Sequence, residues 1–328
     1  MVQQESVIII GAGPCGLSAA IELQKAGVEP LVIEKDNIVH SIYNYPLHQT
    51  FFSSSDKLEI GGFPFPSNGR KPVRQEALVY YRKVALKRNI RIASFEEVTA
   101  LCRNSGCFFV DTRKKTGESH HYSANQVVIA TGYFNNPNYM NIEGEDLSHV
   151  NHYFRDGHPY FKKNVVIIGG KNSAVDAALA LEQAEANVTL LYRGESFTDT
   201  VKPWILPDLN ALIRDNKVMV HFRAEVSKIT NTEVHYIQDQ MVKAVPADAV
   251  FSMTGYHPDQ TLLKSSGASV NVQTGKPVFN EDTMETDVKG LFIAGVIAAG
   301  IDANEIFIEN GRFHGEKIAE EIRKQTQN

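Results

Sequence analysis

Val7-Ile8-Ile9-Ile10-Gly11-Ala12-Gly13-Pro14-Cys15-Gly16 stands near the start of the chain, and Glu34 closes the next apolar run, Leu31 to Ile33. Four apolar residues that end abruptly in glycine read as a buried strand running into a turn. Glycines at 11, 13 and 16 permit a tight turn and let the backbone approach a pyrophosphate, which sits on the amide donors and positive end of the following helix. An acid about twenty residues on hydrogen-bonds ribose hydroxyls. A lone Gly-x-Gly-x-x-Gly is weak evidence, but this one has a strand before it, a helix after it and the acid in place. The reading is a dinucleotide site. Its candidate contacts are Gly11, Gly13, Pro14, Cys15, Gly16, Glu34 and the adjacent Lys35.

A second, less regular fingerprint is Gly169-Gly170-Lys171-Asn172-Ser173-Ala174, after Val165 to Ile168, with Arg193 closing Val188 to Tyr192. Lys171 stands where a second glycine is usual, so an ammonium group is expected to hold part of the phosphate. An arginine in the position of Arg193 accommodates a 2′-phosphate, whereas the acid of the first unit suits an unphosphorylated ribose. The first site therefore reads as FAD-binding and the second as NADPH-binding, with Gly169, Gly170, Lys171, Asn172, Ser173 and Arg193 as contacts. The pairing points to a two-cofactor electron-transfer enzyme.

The chain has 328 residues, enough for two domains, a net charge of -5 and three cysteines. That charge gives no reason to expect nucleic acid or an anionic membrane as a partner. No apolar run approaches the roughly 18 residues that cross a bilayer. An odd, small cysteine count fits a reducing compartment, so the expected location is cytoplasmic.

Further along, a helix is expected from about Pro14 to Ala26 and another from Pro72 to about Arg88. Between them, residues 37–70 form a long irregular segment of the kind that usually serves function. A hairpin turns at Asn104-Ser105-Gly106, and the strand Val127 to Ile129 ends in Ala130-Thr131-Gly132. Tyr133 to Lys163, rich in Asn, His, Tyr and Pro, reads as a linker. A helix from Pro207 to Asp215 follows the second fingerprint, and Thr254 to Asp259 repeats the Ala-Thr-Gly corner. The chain closes with Gly290 to Gly295 and a helix from about Asn304 to Lys324, capped by Asp302 and Glu305.

Taken together these motifs resemble the thioredoxin-reductase-like flavoproteins. The resemblance implies an α/β fold of two Rossmann-like dinucleotide-binding domains of the three-layer ββα type, the NADPH domain inserted into a discontinuous FAD domain. The FAD domain would comprise 1–132 and 258–328 and the NADPH domain, with its linkers, 133–257. Thr131, Gly132 and Gly295 join the FAD contacts. Two departures matter: no Cys-x-x-Cys pair precedes the second fingerprint, and Val296 stands where the family has an acid that contacts the ribityl chain. A dithiol relay to thioredoxin is thereby excluded in its usual form.

Gly-Ala-Gly-Pro-Cys-Gly, Gly-Gly-Lys-Asn-Ser-Ala and Glu309-Asn310-Gly311-Arg312-Phe313-His314-Gly315 are together similar to the bacillithiol-disulfide reductase family, relatives of thioredoxin reductase without the Cys pair. The resemblance implies reduction of a small-molecule disulfide, a homo-oligomer, and Cys15 as the active-site thiol. A helix N-terminus favours the thiolate that such a role needs, although free cysteine also commonly fills small apolar slots.

Cys102 and Cys107, flanking the hairpin turn, read as structural thiols. Tyr43, Tyr45 and His48 are candidates for flavin contact, a substrate mouth, or a packed or surface aromatic loop. His149, His152, Asp156 and His158 carry no metal in this reading. A flavin monooxygenase is the rival, from the segment Tyr43 to Pro66 and from Ile142-Glu143-Gly144 with His149 and Tyr153, which match its linker fingerprint only in part. A redox sensor or electron-transferring flavoprotein is the third possibility.

Overall fold

In a computed structural model, the described residues are 2–198, 201–302 and 305–327. They form two units, one of residues 1–43, 48–136 and 256–328, the other of residues 44–47 and 137–255.

In the first unit, Val2–Ile10 is the middle of a sheet. It pairs in parallel with Leu31–Glu34 on one side and with Ser119–Ile129 on the other, and Arg91–Ser94 lies beyond Leu31–Glu34. Val7 to Ile10 and all of Leu31–Glu34 are buried, as expected of parallel strands covered on both faces. Ser119–Ile129 serves two layers. Its first half pairs antiparallel with Cys107–Lys114, which in turn pairs with Glu96–Asn104, and there burial alternates. Its last three residues are continuously buried and pair in parallel with Leu291–Ile293. The hairpin at 104–107 turns through Ser105 and Gly106, both at positive φ (51° and 84°).

The first helix, Pro14–Lys25, starts with proline, whose missing N–H is no loss there. It stops at Gly27, φ 82°, where the Gly27 N–H reaches Gln24 O (3.0 Å) and the Val28 N–H reaches Leu23 O (2.9 Å). The helix packs against the last one, His314–Gln327. Ser18 Oγ donates to Arg312 O at 2.7 Å, and a Cβ on Gly315 would stand 2.7 Å from the Ala19 Cα. The expected closing helix is thus two helices, Ile308–Gly311 and His314–Gln327. The first of these is capped at Phe307: the Asn310 side chain accepts the Phe307 N–H (2.8 Å) and donates to Glu305 O (2.9 Å). Asn304 lies outside the described residues.

The second unit repeats the plan. A parallel sheet runs Val218–Phe222, Asn187–Tyr192, Asn164–Ile168, Ala249–Ser252, Val150–Asn151, beside an antiparallel sheet of Glu225–Ile229, Glu233–Gln238 and Met241–Pro246. Strand alternation divides its core. Val165, Ile167, Val188, Leu190 and Phe251 face the helix Asn172–Gln183, while Val166, Ile168, Leu191 and Val250 pack with Val226, Val234 and Tyr236 of the small sheet. Both units therefore have three layers, and the two-Rossmann α/β fold is present. The expected linker 133–163 needs correction. It contributes the edge strand Val150–Asn151 and the buried Phe154 to this unit, because two paired residues and one aromatic leave no periodicity to read.

Candidate functional site

At the first fingerprint, the Gly11 N–H bonds Ile33 O and the Ala130 N–H bonds Ile10 O, both at 2.8 Å, so the three strand ends are fastened together. A Cβ on Gly11 (φ 108°) would stand 2.5 Å from Ala130 O, and one on Gly16 would collide with the Gly11 carbonyl. Gly13 and Gly132, by contrast, have nothing in front of them within 4 Å. Glu34 is buried and holds the turn: its Oε2 accepts the Ala12 N–H at 2.8 Å and its Oε1 accepts the Asp36 N–H at 2.9 Å. Lys35 borders a cavity of about 410 Å³ that Asp36, Glu97, Arg113, Lys114 and Lys115 also line.

Thr131 Oγ1 is buried and has no hydrogen-bond partner among the described residues. Its counterpart in the second unit, Thr254, gives its hydroxyl to Asn138 O at 2.5 Å. A buried hydroxyl without a partner is costly. Together with the open faces of Gly13 and Gly132, it fits a polar ligand lying along the turn, as FAD would.

Cys15 is partly exposed as a residue, but its thiol is enclosed. A Cβ on Gly295 or Gly311 would come within 3.0 or 2.9 Å of Sγ. Burial pushes the thiol up to about 12, and the Glu309 charge acts in the same direction. Loss of solvent thus opposes the field of the helix N-terminus, which favours the thiolate. The Gly295 N–H donates to His314 Nδ1 at 3.2 Å. Burial pushes His314 down to about 4, with Lys317 contributing, so the imidazole is neutral and Nδ1 is free to accept.

The second fingerprint copies the backbone of the first. The Gly169 N–H bonds Leu191 O (3.0 Å), the Met253 N–H bonds Ile168 O (2.7 Å), and a Cβ on Gly169 would stand 2.5 Å from Met253 O. Gly170 has a different reason to be bare, since a Cβ there would run into the Tyr192 ring. Lys171 and Ser173 are exposed at the start of the helix Asn172–Gln183, while Asn172 Oδ1 accepts the Lys202 N–H at 2.8 Å. The side chains of Lys171 and Arg193, both exposed, have no hydrogen-bond or ion-pair partner among the described residues. Two unpaired cations at a helix start and a strand end suit a phosphorylated dinucleotide. Asp176, one turn into the same helix, has no such partner either, and burial pushes its carboxyl up to about 6.

Other candidates are quieter. Cys102 lies opposite Phe109 and Cys107 opposite Asn104, so the two thiols are diagonal rather than paired, and all three cysteines are free. Tyr43 and His48 are exposed and Tyr45 is partly so; the Arg74 guanidinium lies 5.2 Å from the Tyr43 ring centre. No three metal-ligating side chains come together among the described residues. None of the described helices is long and apolar enough to cross a membrane. Sequence reading missed His314 as the acceptor for Gly295, and also Arg223, whose N–H bonds Gly194 O at 2.9 Å. Strand pairing brings Arg223 there from thirty residues away, and no local pattern marks it.

Residues 8–295 match the model of the pyridine nucleotide-disulphide oxidoreductases. The chain belongs to this family. Members among its relatives include the bacilliredoxin reductase of Bacillus subtilis (strain 168), 55% identical over 98% of each chain. Two solved members are bacillithiol disulfide reductases. The one from Bacillus cereus has a TM-score of 0.97 and 54% identity, covering 98% of this chain and 100% of its own. The other, from Staphylococcus aureus, has a TM-score of 0.94 and 50% identity, covering 99% and 100%. As a member of the family the chain is an oxidoreductase.

Proposed function

We propose that this protein is an NADPH-dependent FAD flavoprotein that reduces a low-molecular-weight disulfide, bacillithiol disulfide, to two thiols. One observation carries the reading. The same strand-turn-helix design occurs twice, with Glu34 at one ribose end and Arg193 at the other. The likeness to two bacillithiol disulfide reductases over almost the whole chain supplies the substrate class.

The unit that begins the chain is the FAD domain in this proposal, and the unit around 137–255 the NADPH domain. Gly11, Gly13, Pro14 and Gly16 let the backbone meet the FAD pyrophosphate, Glu34 and Lys35 face its adenosine end, and Thr131, Gly132 and Gly295 border the rest. Gly169, Lys171, Asn172 and Ser173 present the helix start to NADPH, and Arg193 meets its 2′-phosphate. Gly170 enters only by seating Tyr192. Bound FAD supplies the two-electron chemistry, accepting hydride from NADPH and returning the pair to the disulfide. The balance is NADPH, one proton and one disulfide giving NADP+ and two thiols. The protein would work in the cytoplasm as a homo-oligomer, without nucleic acid, membrane or metal.

Cys15 is the proposed active-site thiol, forming a mixed disulfide with one half of the substrate and releasing the other half as thiol. Attack requires that Sγ be uncovered from Gly295 and Gly311 and lose its proton. That packing favours a second reading, in which Cys15 fills a slot and the disulfide is reduced without a protein thiol. Cys15→Ala separates the two: loss of disulfide-dependent NADPH oxidation with FAD retained supports the first, and full turnover supports the second.

Anaerobic stopped-flow absorbance tests the whole proposal. NADPH should bleach the flavin band of the holoprotein faster than NADH does, and bacillithiol disulfide should restore it. A bacilliredoxin mixed disulfide is the comparison substrate, since the relatives' names divide between the two. Bleaching without recovery by either disulfide, or oxygen uptake matched to hydroxylated product, would overturn it.

A further inference from the structure

We propose that Arg223 is a second specificity-determining residue for the 2′-phosphate of NADPH, held beside Arg193 by the backbone and restrained by Glu195. The inference rests on the NADPH reading above and adds a residue from a different strand.

Val218–Phe222 pairs in parallel with Asn187–Tyr192, with Phe222 opposite Tyr192, so residues 193 and 223 leave the sheet at the same level. Two further hydrogen bonds fix the departing chain: the Arg223 N–H to Gly194 O at 2.9 Å and the Ala224 N–H to Tyr192 O at 3.0 Å. Arg223 adopts φ 54°, a left-handed conformation that a long side chain enters only where its surroundings over-determine it. Gly194 is equally constrained, since a Cβ there would stand 2.6 Å from the Tyr192 ring. The backbone thus presents two guanidinium-bearing residues, Arg193 and Arg223, on either side of a fixed glycine.

Their charges are not consumed by the fold. Arg193 has no ion-pair partner among the described residues. Arg223 meets Glu195 at 3.4 Å, with both side chains largely exposed (63% and 80%), and such a pair contributes little to stability. A phosphate dianion is a better partner for a guanidinium than a solvated carboxylate, and two arginines hold it more firmly than one. Glu195 therefore acts as an internal competitor that occupies Arg223 until the 2′-phosphate displaces it. A dinucleotide without that phosphate leaves the Glu195–Arg223 pair intact and gains nothing from it.

Calorimetry on the FAD-loaded protein with 2′,5′-ADP and with 5′-AMP tests the inference without turnover. Asparagine tolerates the left-handed backbone, so Arg223→Asn is the first variant, with the flavin spectrum and melting temperature as checks on folding. It should weaken 2′,5′-ADP about five- to tenfold and change 5′-AMP by less than about twofold. Glu195→Gln leaves the 223 backbone untouched, and should tighten 2′,5′-ADP in the wild-type background but not with Arg223→Asn. Equal weakening of both ligands by Arg223→Asn, no change in either, or a Glu195→Gln effect that persists without Arg223 would overturn the proposal while leaving Arg193 and NADPH in place. If the unaltered protein binds the two ligands alike, the NADPH reading itself fails and this inference with it.

Discussion

The Ala12 amide donates to the Glu34 carboxylate at 2.8 Å, so the acid proposed to meet a ribose also braces the turn proposed to receive the pyrophosphate. Its other oxygen takes the Asp36 N–H at 2.9 Å. Each oxygen retains a second lone pair, which leaves capacity for ribose hydroxyls. Glu34→Gln places an NH2 group against one of these two backbone donors. It should cost about 2 kcal/mol of stability, since a charge-assisted bond is lost and a backbone N–H is left without an acceptor. Urea unfolding of the flavin-free protein reads that cost, and flavin absorbance after purification reads a parallel fall in FAD content. Unchanged stability with reduced FAD would show that the carboxylate serves the ligand alone.

The Cys15 thiol and Gly311 are matched in size. Gly311→Ala puts a methyl 2.9 Å from Sγ and 3.2 Å from the Gly295 Cα, and should destabilise by about 1–3 kcal/mol through overpacking. Adding Cys15→Ala removes the sulfur and should recover about half of that loss. A double-mutant cycle in urea measures the coupling, and strict additivity of the two changes would refute the packing described here.

His314 makes stability depend on pH in a defined direction. Its folded pKa of about 4 lies below the usual 6.5, so between those values the unfolded chain binds a proton that the native imidazole refuses. The contribution is complete above pH 6.5 and is lost as pH falls toward 4. Relative to His314→Asn, which offers Gly295 another acceptor, the unaltered protein should lose about 2–3 kcal/mol between pH 7 and pH 4. Urea midpoints across that range test this, and parallel profiles for the two proteins would contradict it.

Asp176 acts with the opposite sign. Its carboxyl, raised from 3.8 to about 6, keeps its proton in the native state after the unfolded chain has lost it, so stability falls as pH rises through that window. Asp176→Asn should therefore raise stability by up to about 2 kcal/mol at pH 7.5, with the gain shrinking toward pH 4. Thermal unfolding at the two pH values checks it. A carboxylate kept at a loss on the helix proposed to meet NADPH is a mark of functional use, so NADPH oxidation by this variant should fall even as its melting point rises.

Both fingerprints were legible because their information is local: apolar runs, glycines and a charged residue at a set distance. The repeated corner from Thr254 to Asp259 could be matched to Ala130-Thr131-Gly132 on the same ground, and the backbone bonds of Met253 to Ile168 and of Ala130 to Ile10 agree with that match. Val150–Asn151 was not legible, since a two-residue strand has no period. The enclosure of Cys15 was not legible because its neighbours, Gly295 and Gly311, arrive from the far end of the chain, and only their approach reveals that the sulfur is covered. Arg223 and His314 share that origin: each acts on a backbone group that strand or helix packing brings to it.

Ser18 finds its acceptor, Arg312 O, 294 residues later in the chain. On a ribosome adding 5–20 residues per second, the opening helix therefore waits roughly 15–60 seconds for the segment that covers it. During that interval the glycine turn has emerged, but the residues that close over it have not. Stable flavin loading is thus deferred until late in translation, and a nascent chain stalled within residues 137–255 should be colourless and dependent on chaperones.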